Sequence, residues 1–180
     1  DAIVAENGAV ALHINHQIGL QPNKIKRKQL SKLYQQDSPI RSTNYAKMQQ
    51  VLALIEREVP GAQRSTDSPG RETDIAIDHS EFTHLAPERI AQVVQLMHNA
   101  GMHATVSSIH INGWFGSHNK LQGARWITQQ LLQRDLNQEL DRWTYIGDST
   151  NDQLMFEAFP HSIGVANIAR FVPQLAHLPR

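Results

Sequence analysis

Apolar and polar positions alternate in short blocks along the chain, and the blocks set out its elements. Residues 2–14 (AIVAENGAVALHI) hold two short apolar runs separated by Glu6-Asn7-Gly8, which predicts two strands joined by a turn. From 43 to 59, Met48, Val51, Leu52, Leu54 and Ile55 recur at helical spacing until Pro60-Gly61 stops the segment, and Asp37-Ser38-Pro39 ahead of it is a turn or helix-start signal. Residues 61–71 read as a polar loop. Between 73 and 79, Ile75 and Ile77 face one way and Asp74, Ala76 and Asp78 the other, which predicts a half-buried strand with an acidic open face. An amphipathic helix is expected over 87–100 through Ile90, Val93, Val94 and Met97, ended by Gly101. Residues 102–115 read as a long strand or hairpin. Leu121, Ala124, Ile127 and Leu131 predict a further helix that starts beside Lys120.

The most informative stretch is 143–156. Trp143, Tyr145 and Ile146 read as a short buried strand, Gly147 breaks it, and 154–159 reads as a helix, so Asp148 and Asp152 lie at a strand-to-helix junction. Open α/β sheets bind ligands at such carboxyl edges. Two carboxylates within about 4 Å repel by roughly 4 kcal/mol at an effective dielectric of about 20, so a cation is wanted there, and hard Mg2+ suits oxygen ligands best. Ser149 with Asp152 three residues on is also a capping-box spacing, and helix starts favour acids. Spacing alone supports both readings. Lys120, at the start of its helix, offers an amine that could bind a phosphate oxygen and offset carboxylate charge.

Composition narrows the function classes. Seventeen basic and seventeen acidic residues in 180 give a formal charge of zero, which supplies no general attraction for nucleic acid or an anionic membrane. With no cysteine there is neither a disulfide framework nor a thiolate nucleophile. No run of 18 apolar residues or signal-peptide pattern occurs, and the cytoplasm is the expected compartment. Residues 22–34 carry five basic residues; a solvated helix face or linker is expected there rather than a nucleic-acid patch. The ten histidines show no metal-ligand spacing, and solvated or hydrogen-bonded histidines are expected.

Gly147-Asp148-x-x-Asn151-Asp152 after an apolar strand resembles the fourth motif of the haloacid dehalogenase (HAD) superfamily of phosphohydrolases, and Ser162-Ile-Gly-Val-Ala-Asn167 resembles the strand that follows it in the Cof-type and sugar-phosphatase branch. Ala5-Glu-Asn-Gly-Ala9 is similar to the stretch after the second motif, and Lys120 occupies the place of the third. The resemblance departs there in one respect: relatives set Gly directly after this Lys, whereas Leu121 and Gln122 intervene before Gly123.

The resemblance implies an α/β fold with a HAD-like Rossmannoid parallel sheet core, here incomplete, and an inserted α+β cap: core in 1–14 and 113–180, cap in 15–112. It implies a Mg2+-dependent phosphatase acting on a small phosphorylated metabolite, a sugar phosphate above all. Attack by an N-terminal Asp would give an aspartyl-phosphate, and a second Asp two residues on would activate water. Asp148 would bind Mg2+; Asp152 would hold the metal, through its water ligands, or orient Lys120; Lys120 would stabilise the transferring phosphoryl group; Asn151 would position that network. In the cap, Asp74, Asp78, His110 and Asn112 are expected to contact substrate. The Asp-x-Asp and Ser/Thr motifs that precede this region in the family are not found, and Asp78-His79-Ser80 lacks the second Asp. A chain that begins here is therefore expected to begin partway through the domain, with both ends incomplete and no meaningful turnover. The competing expectation is a noncatalytic HAD-like binding or scaffold protein that uses the cap surface.

Overall fold

The protein is described by a computed structural model over residues 2–16 and 28–180. Strands β1 (Ala2–Ala5), β2 (Val10–His16) and β3 (Lys28–Tyr34) form an antiparallel meander. A 3-10 turn, Glu6–Gly8, joins β1 to β2, with φ of 48°, 55° and 98° at its three residues. Asn7 and Gly8 suit that left-handed backbone; Glu6 is held in it by its contacts.

The β3 strand corrects one expectation. Residues 28–34 are neither helix nor linker, because β2 offers a full ladder of partners, with Ile14 opposite Leu30 and Leu12 opposite Lys32. A lysine-bearing strand at a sheet edge also discourages pairing with other chains. The rest of the basic run, 22–27, lies outside the described residues.

Helix α1 (Ser38–Glu58) starts where Asp37 accepts the N–H of Ile40 at 3.0 Å, with proline in the first turn. Strands β4 (Gln63–Arg64), β5 (Ile75–Asp78), β6 (His103–Val106) and β7 (His110–Trp114) form an antiparallel sheet in the order β4-β5-β7-β6. Helix α2 (Pro87–Asn99) covers it beside α1. Met48, Leu52, Ile55, Val93 and Met97 of the helices pack on Ile75, Ile77 and Ile111 of the sheet as one core. Each such side chain, fully buried, contributes about 1.5–3 kcal/mol.

The expected open acidic face of β5 does not exist: all four of its residues are buried, and Asp74 and Asp78 are 1% and 3% exposed. The helices cover one side. On the other, Asp74 meets the β1–β2 turn, and the loop after β5 folds back over Asp78.

Helix α3 (Lys120–Leu132), strand β8 (Thr144–Gly147), helix α4 (Gln153–Ala158) and strand β9 (His161–Gly164) complete the chain. β8 and β9 pair in parallel, and a second core gathers Leu136, Met155 and Phe159 against Leu121, Trp143 and Tyr145. Among the described residues, no helix is long and apolar enough to cross a membrane.

Candidate functional site

The site forms where β8 ends. Gly147 is required there, because a Cβ would come within 2.7 Å of an Asp152 carboxylate oxygen and 2.8 Å of the Phe156 ring. The chain then turns through Asp148 and Ser149 into a 3-10 turn, Thr150–Asp152, that leads into α4. Asp152 Oδ2 accepts the backbone N–H groups of Asp148 (2.8 Å) and Ser149 (3.2 Å), which is the capping role that its spacing suggested. Its other oxygen does something else. Oδ1 accepts from Lys120 Nζ and from the Tyr145 hydroxyl, each at 2.5 Å.

Lys120 reaches this carboxylate from the first residue of α3, whose start is fixed by Asn119 accepting the N–H of Gln122 at 2.9 Å. Its ammonium also donates to Asn151 Oδ1 at 3.0 Å, and the Ser149 hydroxyl donates to the same oxygen at 2.8 Å. Gly123, the displaced glycine of the third-motif resemblance, has its own reason. One turn after Lys120 it faces Gly8, and a Cβ on it would lie 2.5 Å from the Gly8 Cα. Helix α3 thereby seats directly on the Glu6–Gly8 turn.

The two carboxylates differ in what they can still bind. Asp152 is 1% exposed, and its four donors use the roughly four lone-pair positions of a carboxylate. Burial alone would raise its pKa, but the Lys120 charge and hydrogen bond, with the Tyr145 hydroxyl, hold it below the ordinary aspartate value. One of those four donors is Lys120, the residue that Asp152 is expected to orient. Asp148 is half-buried, and each of its oxygens has one partner: Ser149 Oγ at 3.3 Å and Asn167 Nδ2 at 3.0 Å. Its remaining lone pairs are open. Among the described residues, no group of three or more His, Asp or Glu side chains could enclose a metal, so any ion here would keep water or ligand oxygens around it.

The four expected cap contacts divide. Asp74 and Asn112 come together: Asp74 accepts from Arg71 at 2.7 Å, Asn7 at 3.0 Å and Asn112 at 3.4 Å. Asp78 is instead consumed by the backbone, accepting the N–H groups of Ser80, Glu81, Phe82 and Thr83 at 2.8–3.1 Å. Burial opposes its charge, but those four donors bring its pKa below the ordinary value. It closes a loop rather than facing a ligand. His110 Nε2 is paired with Glu81 at 2.9 Å.

Tyr145, Asn7 and Asn167 are members of these networks that pattern reasoning passed over. Tyr145 reads only as an apolar strand residue. Asn7 and Asn167 stand inside the two runs that carry the family resemblance, and their residue type was the available signal.

No family model matches the chain, and no curated protein sequence matches it. Solved structures do. A protein from Thermoplasma acidophilum, 0175, superposes with a TM-score of 0.60 at 16% identity over 92% of this chain and 59% of its own. The sucrose-phosphatase of Synechocystis sp. PCC6803, solved with sucrose and phosphate, gives 0.52 at 18% identity over 76% of this chain and 55% of its own. The C-terminal domain of the Candida albicans trehalose synthase regulatory protein gives 0.55 at 11% identity over 91% and 62%. The chain thus spans between 55% and 62% of the length of these neighbours. At such identities the likeness is one of fold: the chain shares the mixed α/β fold of these structures.

Proposed function

We propose that these residues form the phosphate-stabilising and metal-holding part of a Mg2+-dependent phosphohydrolase of the Cof-type and sugar-phosphatase branch of the HAD superfamily, with a small phosphorylated metabolite, foremost a sugar phosphate, as substrate. The observation that carries this reading is the Lys120–Asp152 pair, 32 residues apart in sequence, joined within a Gly-Asp-x-x-Asn-Asp loop. The fold likeness to a sucrose-phosphatase supports it. In this reading 15–112 is the cap, holding α1, α2 and the four-stranded sheet except for the last two residues of β7, and residues 1–14 and 113–180 are core.

Phosphoryl transfer needs little from a protein beyond positioning and positive charge against the phosphoryl oxygens. Asp152 and Asn151 fix the Lys120 ammonium so that it meets those oxygens with little reorganisation. Asp148 fits a divalent ion, since Mg2+ is commonly held by one or two carboxylates with water and substrate oxygens completing its shell. When bound, the ion supplies further positive charge against the same oxygens. The 180 residues contain no Asp-x-Asp pair, so what they supply is the electrostatic part of the reaction.

Phosphate release from a panel of sugar phosphates, with and without Mg2+, tests the reading on the complete gene product. Asp148→Ala and Lys120→Ala are each expected to lower kcat/KM by about 10²–10³-fold. No release from any sugar phosphate, or release indifferent to Asp148→Ala, overturns it and leaves noncatalytic binding as the function.

A further inference from the structure

The turn between β1 and β2 is strained, and its contacts run in two directions. Glu6, Asn7 and Gly8 all hold positive φ, at 48°, 55° and 98°. Gly and Asn suit such backbone, whereas Glu adopts it only where its surroundings over-determine it, and strain of this kind clusters at functional positions. On one side the Glu6 carboxylate accepts the Glu72 N–H at 3.0 Å, the Thr73 N–H, and the Thr73 hydroxyl at 2.5 Å, while Asn7 donates to Asp74 at 3.0 Å. The turn thereby grips the segment that enters β5. On the other side a Cβ on Gly8 would collide with the Asn119 carbonyl, which accepts the Gly123 N–H at 2.8 Å, and Gly123 itself meets the Gly8 backbone. Lys120 follows Asn119 directly. These contacts are backbone on backbone, so a shift of the turn reaches the start of α3 without a soft side chain to absorb it.

Asp74 gives this joint a titratable element. Its carboxylate and that of Glu6 are two anions at one buried junction, and the Arg71 guanidinium that serves Asp74 also serves Asp67. Around them Lys32, Arg64 and His110 are paired with Glu72, Glu56 and Glu81; β7 brings the neutral Asn112, and α1 brings Tyr45. Burial and the Glu6 carboxylate raise the Asp74 pKa to about 6 against the pull of Arg71. A proton there favours the closed joint, in full below the ordinary 3.8 and no longer once pH has risen through about 6.

We propose that the Glu6–Gly8 turn is a proton-linked joint that positions Lys120: protonation of Asp74 closes segment 72–74 on the turn, and the turn steadies the start of α3. Glu6 is then a positioning residue that acts on the ammonium through backbone contacts. Linkage is reciprocal, so an anion held by Lys120 favours proton uptake at Asp74. The anion rests on the phosphate-site reading of Lys120; the joint does not.

Amide hydrogen exchange on the full chain, resolved by NMR and corrected for the intrinsic effect of pH, tests the joint. Protection of the Glu72 and Thr73 amides should be about tenfold higher at about pH 5 than at about pH 7.5, and Gly123 should follow by at least about twofold. Asp74→Asn should remove the difference at all three amides. Equal protection at the two pH values overturns the proposal, as does a difference that survives in Asp74→Asn and so belongs to His110 or another group. A difference at Glu72 and Thr73 that leaves Gly123 unmoved overturns it too, because the joint then ends short of Lys120. Should Asp74→Asn fail to fold, Glu6→Ala decides: it should lower protection at Gly123 as well as at Glu72 and Thr73, and an unmoved Gly123 overturns the positioning role. Sulfate, whose charge is constant over this range, separates the two readings by calorimetric titration with Mg2+ present. It should bind at least about threefold tighter at about pH 5 in the wild type and equally at both pH values in Asp74→Asn. Equal affinity in the wild type overturns the link to Lys120. No sulfate binding at either pH, with the exchange linkage intact, fails the phosphate-site reading and leaves the joint standing.

Discussion

Asp152 and Asp74 are buried to the same degree, 1% exposed each, yet their environments drive them in opposite directions. Burial is the leading influence on both and opposes the charge. At Asp152 it is outweighed by an ammonium, a phenol hydroxyl and two backbone N–H groups, and the pKa falls below its ordinary value. At Asp74 burial prevails, and the pKa rises to about 6. Arg71 opposes this, but it also pairs with Asp67 at 2.8 Å, and the Glu6 carboxylate adds repulsion. Equal burial therefore says little about a carboxylate's charge. The number of donors and whether its cation is shared decide it.

The largest effect expected of this contrast follows from removing the better-served group. Asp152→Ala leaves the Lys120 ammonium, the Tyr145 hydroxyl and two backbone N–H groups without their acceptor. The Lys120 side chain is 34% exposed and its ammonium can rehydrate. The cost is therefore that of the phenol and backbone donors left unsatisfied, about 1–3 kcal/mol each and about 3–5 kcal/mol together, to be read from urea unfolding. A loss below about 1 kcal/mol would mean that the four donors find water, and the network would be incidental.

The pH dependence separates the two carboxylates by sign. The Asp74 pKa is raised from the ordinary 3.8 to about 6, so its stabilising contribution is fully present below about 3.8 and is lost as pH rises through about 6. The difference between those values is worth about 3 kcal/mol. The Asp152 pKa is lowered, so its contribution is present above the ordinary value and disappears as pH falls below it. Unfolding free energies measured from about pH 2 to 7.5 should show Asp74→Asn flattening the decline between about pH 4 and 6 while the loss in stronger acid persists. An unchanged slope in Asp74→Asn would assign that decline to other groups.

Between these lies a steric test of how Lys120 is placed. Gly123→Ala sets a methyl 2.5 Å from the Gly8 Cα and 3.0 Å from its carbonyl oxygen, both backbone atoms, and Gly8 at a φ of 98° has little freedom to retreat. Overpacking of this kind costs about 1–3 kcal/mol. Helix α3 must lift from the turn and carry Lys120 with it, so phosphate affinity should fall along with the melting temperature. Lower stability with unaltered phosphate binding would separate the helix seat from the site.

Legibility in the sequence followed the range of the interactions. Helices α1, α2 and α3 and the β8 junction could be read from local pattern, because helical periodicity, Asp37 at a cap and glycines at breaks are local causes. The Lys120–Asp152–Asn151 grouping was reached through the family resemblance, since no local rule joins residues so far apart. Strand β3 was missed because its lysines match a solvated face, and only the β2 ladder makes it a strand. Asp78 was misread because its four donors come from a loop that folds back on it, and alternation along β5 carries no trace of that. His118 stood among ten histidines without any ligand spacing; its distinction is a buried Nε2 with no hydrogen-bond partner among the described residues, a property of packing.

The smallest effect is also the most discriminating, because it changes one donor and nothing else. Tyr145→Phe keeps the ring in place against Phe156 and Phe159, 5.7 and 5.8 Å away, and deletes only the hydroxyl that Asp152 accepts. Burial and that carboxylate raise the phenol's pKa well above its ordinary value, so the hydroxyl keeps its proton and donates across the whole working pH range. Its loss is expected to cost about 1–2 kcal/mol, as for a hydrogen bond to a charged partner. Asp152 would then rely on Lys120 and two backbone N–H groups, and its pKa should move up towards the ordinary value. The acid limb of the stability curve accordingly shifts to higher pH, and does so without touching the Asp74 decline. A variant that loses stability equally at every pH would show that the hydroxyl only fills space, and that Lys120 alone sets the charge of Asp152.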